Sequence, residues 1–127
     1  MNADKTILII EDSDKISGAL GEILTLEGYH VEFATNGKEG MDHLITHSLP
    51  NLILLDFLMP VMTGMEFRSR QIQIPHFACI PVIVLSADSC VKQMCAPLHL
   101  RHFLKKPFEV TELLELIEWI KLHEPAL

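Results

Sequence analysis

The sequence predicts an α/β protein: a doubly wound sheet of five parallel strands covered by helices on both faces. Short apolar runs alternate with segments of helical periodicity along the whole chain, without a repeat or a linker. The 127 residues are the size of one domain, and a hydrophobic content of 49% suits a chain with a buried core. We therefore expect residues 1–127 to form one domain with right-handed crossovers.

The first strand and helix follow directly from the apolar pattern. Thr6–Ile10 is continuously apolar after Thr6, which is typical of a strand buried on both faces. Ser13 is the predicted N-cap of the helix that follows, and Gly28 its C-terminal stop. The apolar positions between them have helical spacing: Ile16, Leu20, Ile23 and Leu24.

The second unit begins with His30–Ala34, which alternates as a half-buried strand does. Asn36 with Glu39 three residues later resembles a capping box. It opens a helix over three apolar positions: Met41, Leu44 and Ile45. Asn36-Gly37 is also a hairpin signal, but helical spacing follows it and Pro50 ends the segment, so we predict a helix.

Three more strands and two more helices complete the pattern, with an unclear segment after the fourth strand. The predicted strands are Leu52–Leu55, Pro81–Leu85 and His102–Lys105, and the predicted helices cover 64–72 and Glu109–His123. The last helix has one apolar stripe and stops before Pro125. We expect the aliphatic and methionine residues along the helices to be core.

Composition and charge exclude several classes of function. The net charge of −7 disfavours non-specific binding to nucleic acid or to an anionic membrane. The amino terminus has no apolar signal core and no run is long enough for a membrane span, so we expect a cytoplasmic protein. The cysteines number three, and we expect reduced thiols: Cys79, Cys90 and Cys95.

Polar residues follow the predicted strands at their carboxyl ends, where open parallel sheets bind ligands. They are Glu11 and Asp12, Asp56, Ser86, and Lys105 with Lys106. Taken singly, each is equally typical of a helix cap or a solvated strand end. Together, the carboxylates repel one another unless a cation neutralises them, and Mg²⁺ prefers such oxygens. A hydroxyl and a lysine beside an aspartate nucleophile suit phosphoryl transfer to that aspartate.

Four ordered motifs identify a resemblance across essentially the whole chain: Leu8–Asp12, Leu54–Gly64, Pro81–Ala87 and Phe103–Phe108. The sequence resembles the response-regulator receiver domains of bacterial two-component signalling. The resemblance implies a flavodoxin-like fold with strand order 2-1-3-4-5 and five helices. It also implies a phosphoacceptor that assists its own phosphorylation and dephosphorylation and is not an enzyme in the usual sense.

The resemblance also implies residue roles at the site. Asp56 would accept the phosphoryl group. Asp12, Asp56 and the main-chain carbonyl of Leu58 would hold Mg²⁺, for which Mn²⁺ could substitute, and Glu11 would act mostly through water.

Further positions match the switch elements of the family. Ser86 would be the switch hydroxyl, Lys106 the phosphoryl-binding lysine and Phe103 the switch aromatic residue. The bond between Lys106 and Pro107 would be cis, turning the lysine toward the site. Leu58 and Asp88 occupy the positions at which the family varies its dephosphorylation rate, with opposing effects here.

The family also implies partners. A sensor histidine kinase or histidine phosphotransfer protein would be the donor, and phosphorylation would change binding of an unknown downstream protein. The binding face would comprise the fourth helix, the fifth strand and the fifth helix. Neither direct nucleic-acid binding nor membrane association is expected. The chain resembles the stand-alone kind, as a monomer or a phosphorylation-dependent dimer.

Two departures concern that binding face. His99-Leu100 replaces the usual Gly-Ala before the fifth strand. Pro97 lacks a backbone donor and disfavours helix at Ala96, so we expect a truncated or distorted fourth helix.

Alternative hypotheses are weaker. A phosphorylation-independent pseudo-receiver would lack the aspartate, acidic pair or lysine, all of which are present. A phosphatase of the haloacid dehalogenase type needs a second acid where Leu58 stands. A zinc site is disfavoured because Pro97 interrupts the geometry of its ligands: Cys90, Cys95, His99 and His102. His43 and His47, at i and i+4, are predicted to lie on a solvated helix face.

Overall fold

Five parallel strands form one sheet in the order β2-β1-β3-β4-β5, which confirms the predicted topology. The computed structural model describes residues 4–57, 62–88 and 91–124. The strands are β1 (Thr6–Ile10), β2 (His30–Ala34), β3 (Leu52–Asp56), β4 (Val82–Ser86) and β5 (His102–Lys105). β1, β3 and β4 are central, so their continuously apolar sequences are buried by helices on both faces.

Six α-helices occur in the described residues: α1 (Asp14–Leu26), α2 (Gly37–Thr46), α3 (Gly64–Gln71), α4 (Pro75–Ala78), α5 (Val91–Cys95) and α6 (Val110–His123). The four-residue α4 was not predicted; it begins with Pro75, whose fixed φ suits a first helical position. α5 and α6 are therefore the predicted fourth and fifth helices. Across the ranges described, no helix combines the length and the apolar character needed to span a membrane.

Successive strand residues supply two separate cores, one on each face of the sheet. Leu8, Ile10, Ile53 and Leu55 pack with residues of α2, α3 and α5. The alternate positions pack with α1 and α6: Ile7, Ile9, Leu52 and Leu54. Each of these side chains is fully buried, which stabilises the fold by about 1.5–3 kcal/mol per residue.

The predicted helix ends are confirmed, with one difference in hydrogen bonding. Ser13 Oγ accepts from Ile16 N at 3.3 Å, and Gly28 adopts a positive φ of 96° after α1. At α2, Asn36 Oδ1 accepts from Glu39 N at 2.9 Å. The reciprocal bond of a capping box goes instead from Thr35 N to Glu39 Oε1, one residue earlier than expected.

Several aliphatic and methionine side chains of the helices, which were expected in the core, lie at the surface. Leu26, Ile45 and Leu122 are 85%, 65% and 79% exposed, and Ile16, Met65 and Val110 are exposed as well, so that expectation was wrong for them. Leu26 ends α1, and Ile45 and Leu122 lie in the last turns of α2 and α6. The buried stripe of each helix is thus shorter than its apolar pattern.

His43 does not lie on a solvated face, which corrects the prediction for the histidine pair on α2. Its side chain is only 12% exposed, and Nε2 contacts Glu32 Oε1 on β2. His47 is exposed and its ring stacks on that of His43.

The segment between α5 and β5 confirms the expected effect of Pro97. α5 ends at Cys95, and a turn of 3-10 helix covers Ala96–Leu98. His99 then adopts φ 56° and ψ 32°, a left-handed conformation that favours glycine and costs other residues about 1–2 kcal/mol. The usual glycine is thus replaced at a position where the backbone turns left-handed.

A buried arginine holds this segment against α3. Arg68 is 8% exposed; its Nε donates to Leu98 O at 3.1 Å and its Nη2 to His99 O at 3.4 Å. Nη1 donates to Gln71 Oε1 at 3.0 Å, and the Gln71 amide donates in turn to Phe77 O at 2.8 Å. Burial lowers the pKa of Arg68 from its usual value. One guanidinium therefore anchors the distorted connection to β5.

Substituting Arg68 should destabilise the protein because the carbonyls of Leu98 and His99 would lose buried donors. We expect Arg68→Met to lower the free energy of unfolding by about 2 kcal/mol, measured by urea denaturation. Arg70→Met, an exposed arginine on the same helix, is the control and should change stability by less than about 0.5 kcal/mol. Equal effects of the two substitutions would contradict the anchoring role.

Candidate functional site

The carboxyl edge of the sheet brings together the polar residues that the sequence analysis singled out. Asp56 and Ser86 are the last residues of β3 and β4. Glu11 and Asp12 follow β1, and Lys106 follows β5. Because β1, β3, β4 and β5 are neighbours in the sheet, their ends form one contiguous rim.

Three carboxylates form the centre of this rim. One oxygen each from Glu11, Asp12 and Asp56 can be chosen so that all lie within 4.8 Å of one another. Glu11 and Asp56 are 2% and 6% exposed, whereas Asp12 is exposed to solvent. Two of the three charges are therefore largely removed from water and the third is open to it.

Backbone pairing fixes the direction of the acidic pair. Glu11 N donates to Ala34 O at 3.0 Å, which extends the pairing of β1 with β2 by one residue. Ser13 N donates to Glu11 Oε2 at 3.5 Å, and Ser13 itself caps α1. The chain thus leaves the strand, presents two acids and enters the helix within three residues.

Lys106 lies over the carboxylates. Its Nζ is 3.0 Å from Glu11 Oε1 and 3.9 Å from Asp56 Oδ1. Its backbone N donates to Ser86 O at 2.8 Å, and the bond from Lys106 to Pro107 is cis, as the resemblance implies. Lys105 is exposed, so only one of the two lysines turns inward to the acids.

Ser86 and Phe103 lie on the same face of the sheet. Phe103 pairs with Val84, two residues before Ser86, so their side chains point to the same side. Ser86 is 1% exposed, and its Oγ accepts from Asp88 N at 3.1 Å. Phe103 is partly buried against the core that contains α2, α3 and α5. A serine, an aromatic ring and Asp88 therefore adjoin the rim, while Leu58 lies outside the described residues.

Gly64 supports Asp56 in a way that sequence reasoning did not identify. A Cβ at Gly64 would lie 2.6 Å from Asp56 O and 2.7 Å from Phe57 Cα, both of them backbone atoms that cannot move aside. Gly64 N also donates to Phe57 O at 3.1 Å. The available signal was a glycine directly after Thr63, which forms a capping box with Glu66 at the start of α3.

The donor set fits a hard divalent cation. Three carboxylates against one lysine leave a net negative site of oxygen ligands, which Mg²⁺ prefers, with room for water at exposed Asp12. Among the residues in 4–57, 62–88 and 91–124, these three form the sole group of three or more metal-ligating side chains that are close enough to share an ion.

The disfavoured zinc residues are dispersed. Cys95 is buried in the core, and His102 Nε2 is 3.3 Å from Glu124 Oε1. Cys90 lies outside the described residues. Within the part of the chain that the structure describes, Cys79 and Cys95 are free thiols.

Comparison with known proteins identifies relatives along the chain. The family model described as the response regulator receiver domain matches residues 7–118. The response regulator ArlR of Staphylococcus aureus is 32% identical over 123 residues, covering 94% of this chain and 53% of that protein. The chain thus spans about half the length of the curated relatives it matches.

Solved structures have the same fold. A putative response regulator from Chloroflexus aurantiacus superposes with a TM-score of 0.87 at 28% identity, over 94% of this chain and 98% of that one. The chemotaxis protein CheY4 of Vibrio cholerae gives 0.83 at 27% identity, over 91% and 98%. The signal receiver domain of a histidine kinase from Syntrophus aciditrophicus gives 0.84 at 30% identity, over 91% and 89%.

Gly64→Ala should displace α3 from the end of β3, because the new methyl group would overlap the backbone of Asp56 and Phe57. We expect a loss of about 1–3 kcal/mol in the free energy of unfolding, measured by urea denaturation. Gly18→Ala is the control. Gly18 is an exposed position of α1 and nothing lies within 4 Å of a Cβ there, so the substitution should raise the free energy of unfolding by about 0.5–1 kcal/mol. Gly64→Ala with wild-type stability would contradict the close approach.

Proposed function

Because the chain belongs to the response regulator receiver domain family, we propose that it is a phosphoacceptor switch that receives a phosphoryl group on Asp56. The observation that carries the proposal is the convergence of three carboxylates, with oxygens within 4.8 Å, beneath Lys106 Nζ at 3.0 Å from Glu11. This arrangement combines a nucleophile, ligands for a cation and a fixed positive charge.

The donor is a phosphohistidine on a sensor histidine kinase or a histidine phosphotransfer protein. An Asp56 carboxylate oxygen attacks phosphorus; a P–O bond forms, the P–N bond breaks and the imidazole nitrogen keeps the electron pair. Asp56 is 6% exposed and ends a buried strand, so its carboxylate is already positioned when the phosphoryl group arrives.

Glu11, Asp12, Asp56 and the main-chain carbonyl of Leu58 would hold Mg²⁺, with Mn²⁺ as a substitute. Bound there, the ion would neutralise charge on the carboxylates and the phosphoryl oxygens. Because Glu11 engages Lys106, it would act toward the metal mostly through water, whereas exposed Asp12 would offer its oxygens directly.

Lys106 positions the phosphoryl group after transfer. Its ammonium is 3.9 Å from Asp56 Oδ1, so it can exchange its contact with Glu11 for one with a phosphoryl oxygen on Asp56. Its backbone is fixed by the hydrogen bond to Ser86 O. The Lys106 ammonium that would hold the phosphoryl group is therefore linked to β4, the strand that carries the switch hydroxyl of Ser86.

Ser86 transmits the event. Its hydroxyl now accepts from Asp88 N, and turning to donate to the phosphoryl group would vacate space near Phe103, which is partly buried on the same face. Rotation of Phe103 then changes the surface of α5, β5 and α6, to which the unknown downstream partner binds. Asp88 and Leu58 tune the lifetime of the phosphoryl group.

The wider setting completes the proposal. We place the domain in the cytoplasm, over residues 1–127, as a monomer or a phosphorylation-dependent dimer without nucleic-acid binding. A pseudo-receiver is a weaker alternative because the aspartate, the acidic pair and the lysine stand together. A haloacid-dehalogenase-type phosphatase is a weaker alternative because Leu58 stands where that family needs a second acid.

Intact-mass spectrometry after incubation with acetyl phosphate tests the acceptor. We expect one labile, Mg²⁺-dependent phosphoryl adduct on the wild type and none on Asp56→Asn, because an amide is a poor nucleophile. Asp42→Asn, an exposed acid on α2, should take up phosphate as the wild type does. Uptake by Asp56→Asn at the wild-type rate would refute the site assignment.

Lys106→Ala should separate uptake from switching. The variant keeps the nucleophile and the metal ligands, so we expect the adduct to form, but the amide resonances of Ser86 and Phe103 should no longer shift on phosphorylation. Lys105→Ala, which changes the exposed neighbour, is the control and should retain those shifts. Wild-type shifts in Lys106→Ala would show that Lys106 does not couple the site to the switch.

A further inference from the structure

A second cluster of metal-ligating side chains lies on the edge strand β2 and at the end of α2, away from the rim that holds the carboxylates. It contains three of the seven histidines and one acid: His30, His43, His47 and Glu32. His30 begins β2, and His43 and His47 lie at the end of α2. We call this group the β2–α2 histidine cluster; the phosphoacceptor chemistry makes no use of it.

Glu32 fixes the tautomer of His43. The carboxylate bridges two imidazoles, with Oε1 contacting His43 Nε2 and Oε2 lying 3.2 Å from His30 Nε2. Burial raises the pKa of Glu32, but its hydrogen bonds with His43 and His30 outweigh burial and leave it below the usual value. An ionised carboxylate can only accept, so His43 Nε2 carries a proton and the neutral ring has its lone pair on Nδ1.

Thr46 fixes the tautomer of His47 by the same reasoning. The Thr46 hydroxyl has one proton, which it donates to Asp42 O at 2.7 Å. Its 2.9 Å contact with His47 Nδ1 must therefore be a bond that the imidazole donates. His47 Nδ1 is protonated and the lone pair is on Nε2.

The two rings are stacked, with centroids 4.0 Å apart and planes within 5° of each other. Two nitrogens bound to one zinc ion at 2.0–2.1 Å are roughly 3.3 Å apart in tetrahedral geometry. Because imidazole lone pairs lie in the ring plane, the two rings must rotate out of the stack before both nitrogens can face one ion; histidines at i and i+4 on one helix face can do so without moving the helix. Each ring already has one lone pair free and the other nitrogen engaged.

We propose that His43 and His47 chelate a divalent transition-metal ion that prefers imidazole, with zinc as the representative ion. The Glu32 carboxylate orients His43 from behind, an arrangement typical of histidine ligands to zinc. Water completes the coordination, since in the described ranges no third side chain of this cluster is in place to share the ion. Imidazole nitrogens do not suit Mg²⁺, so the two metal sites differ in kind.

Isothermal titration of the full chain with zinc chloride, at pH 7.5 with excess Mg²⁺ to occupy the carboxylates, tests the proposal. Cys79 is an exposed thiol, so every protein in the experiment also has Cys79→Ser. We expect one zinc equivalent on this background, at least tenfold weaker binding with His43→Gln or His47→Gln, and no change with His123→Gln, a histidine at the end of α6.

Two further readouts separate chelation from incidental binding. Thr46→Val removes the acceptor of His47 Nδ1 and should weaken zinc binding about tenfold, while Asp56→Asn should leave zinc binding unchanged and abolish only phosphoryl uptake. Zinc binding by His43→Gln and His47→Gln as tight as on the background, or absence of zinc binding to the background itself, would overturn the proposal.

Discussion

Repulsion among three carboxylates at one sheet edge is the constraint around which the site is built. Glu11 and Asp56 are nearly removed from water, and burying like charges together is costly unless a cation is close. Lys106 supplies part of that compensation through its 3.0 Å contact with Glu11. The remaining negative charge is of the kind that a hard divalent cation such as Mg²⁺ neutralises.

The rest of the fold serves to keep these groups in place against that repulsion. β1 and β3 are buried on both faces, so Asp56 and the acidic pair extend from backbone that is hydrogen-bonded on two sides and packed above and below. Gly64 lets α3 approach the backbone of Asp56 more closely than any other residue would allow. The acids therefore extend from two central strands of the sheet, and Ser86 and Phe103 lie toward the β5 edge.

The sequence separation of the interacting residues explains which features were predicted from the sequence and which were not. All five strands and the convergence of the acids with Lys106 were predicted, because short apolar runs and strand-end residues are local signals. The strand order was predicted from the family resemblance. The surface positions of Ile45 and Leu122 were not predicted, because the tertiary packing of a helix decides which of its apolar side chains are covered. The burial of His43 depends on Glu32, eleven residues earlier on another element. Arg68 contacts carbonyls thirty and thirty-one residues away, for which no sequence pattern exists.

The arginine anchor has an evolutionary consequence. Arg68 holds the connection between α5 and β5 through main-chain oxygens of Leu98 and His99, and every amino acid carries such an oxygen. The anchorage therefore places no demand on the side chains of the segment it holds. A lineage can therefore change exposed side chains of this segment without losing the two hydrogen bonds that hold its backbone. Only buried Leu100 and the left-handed backbone at His99 keep a direct demand on residue type there.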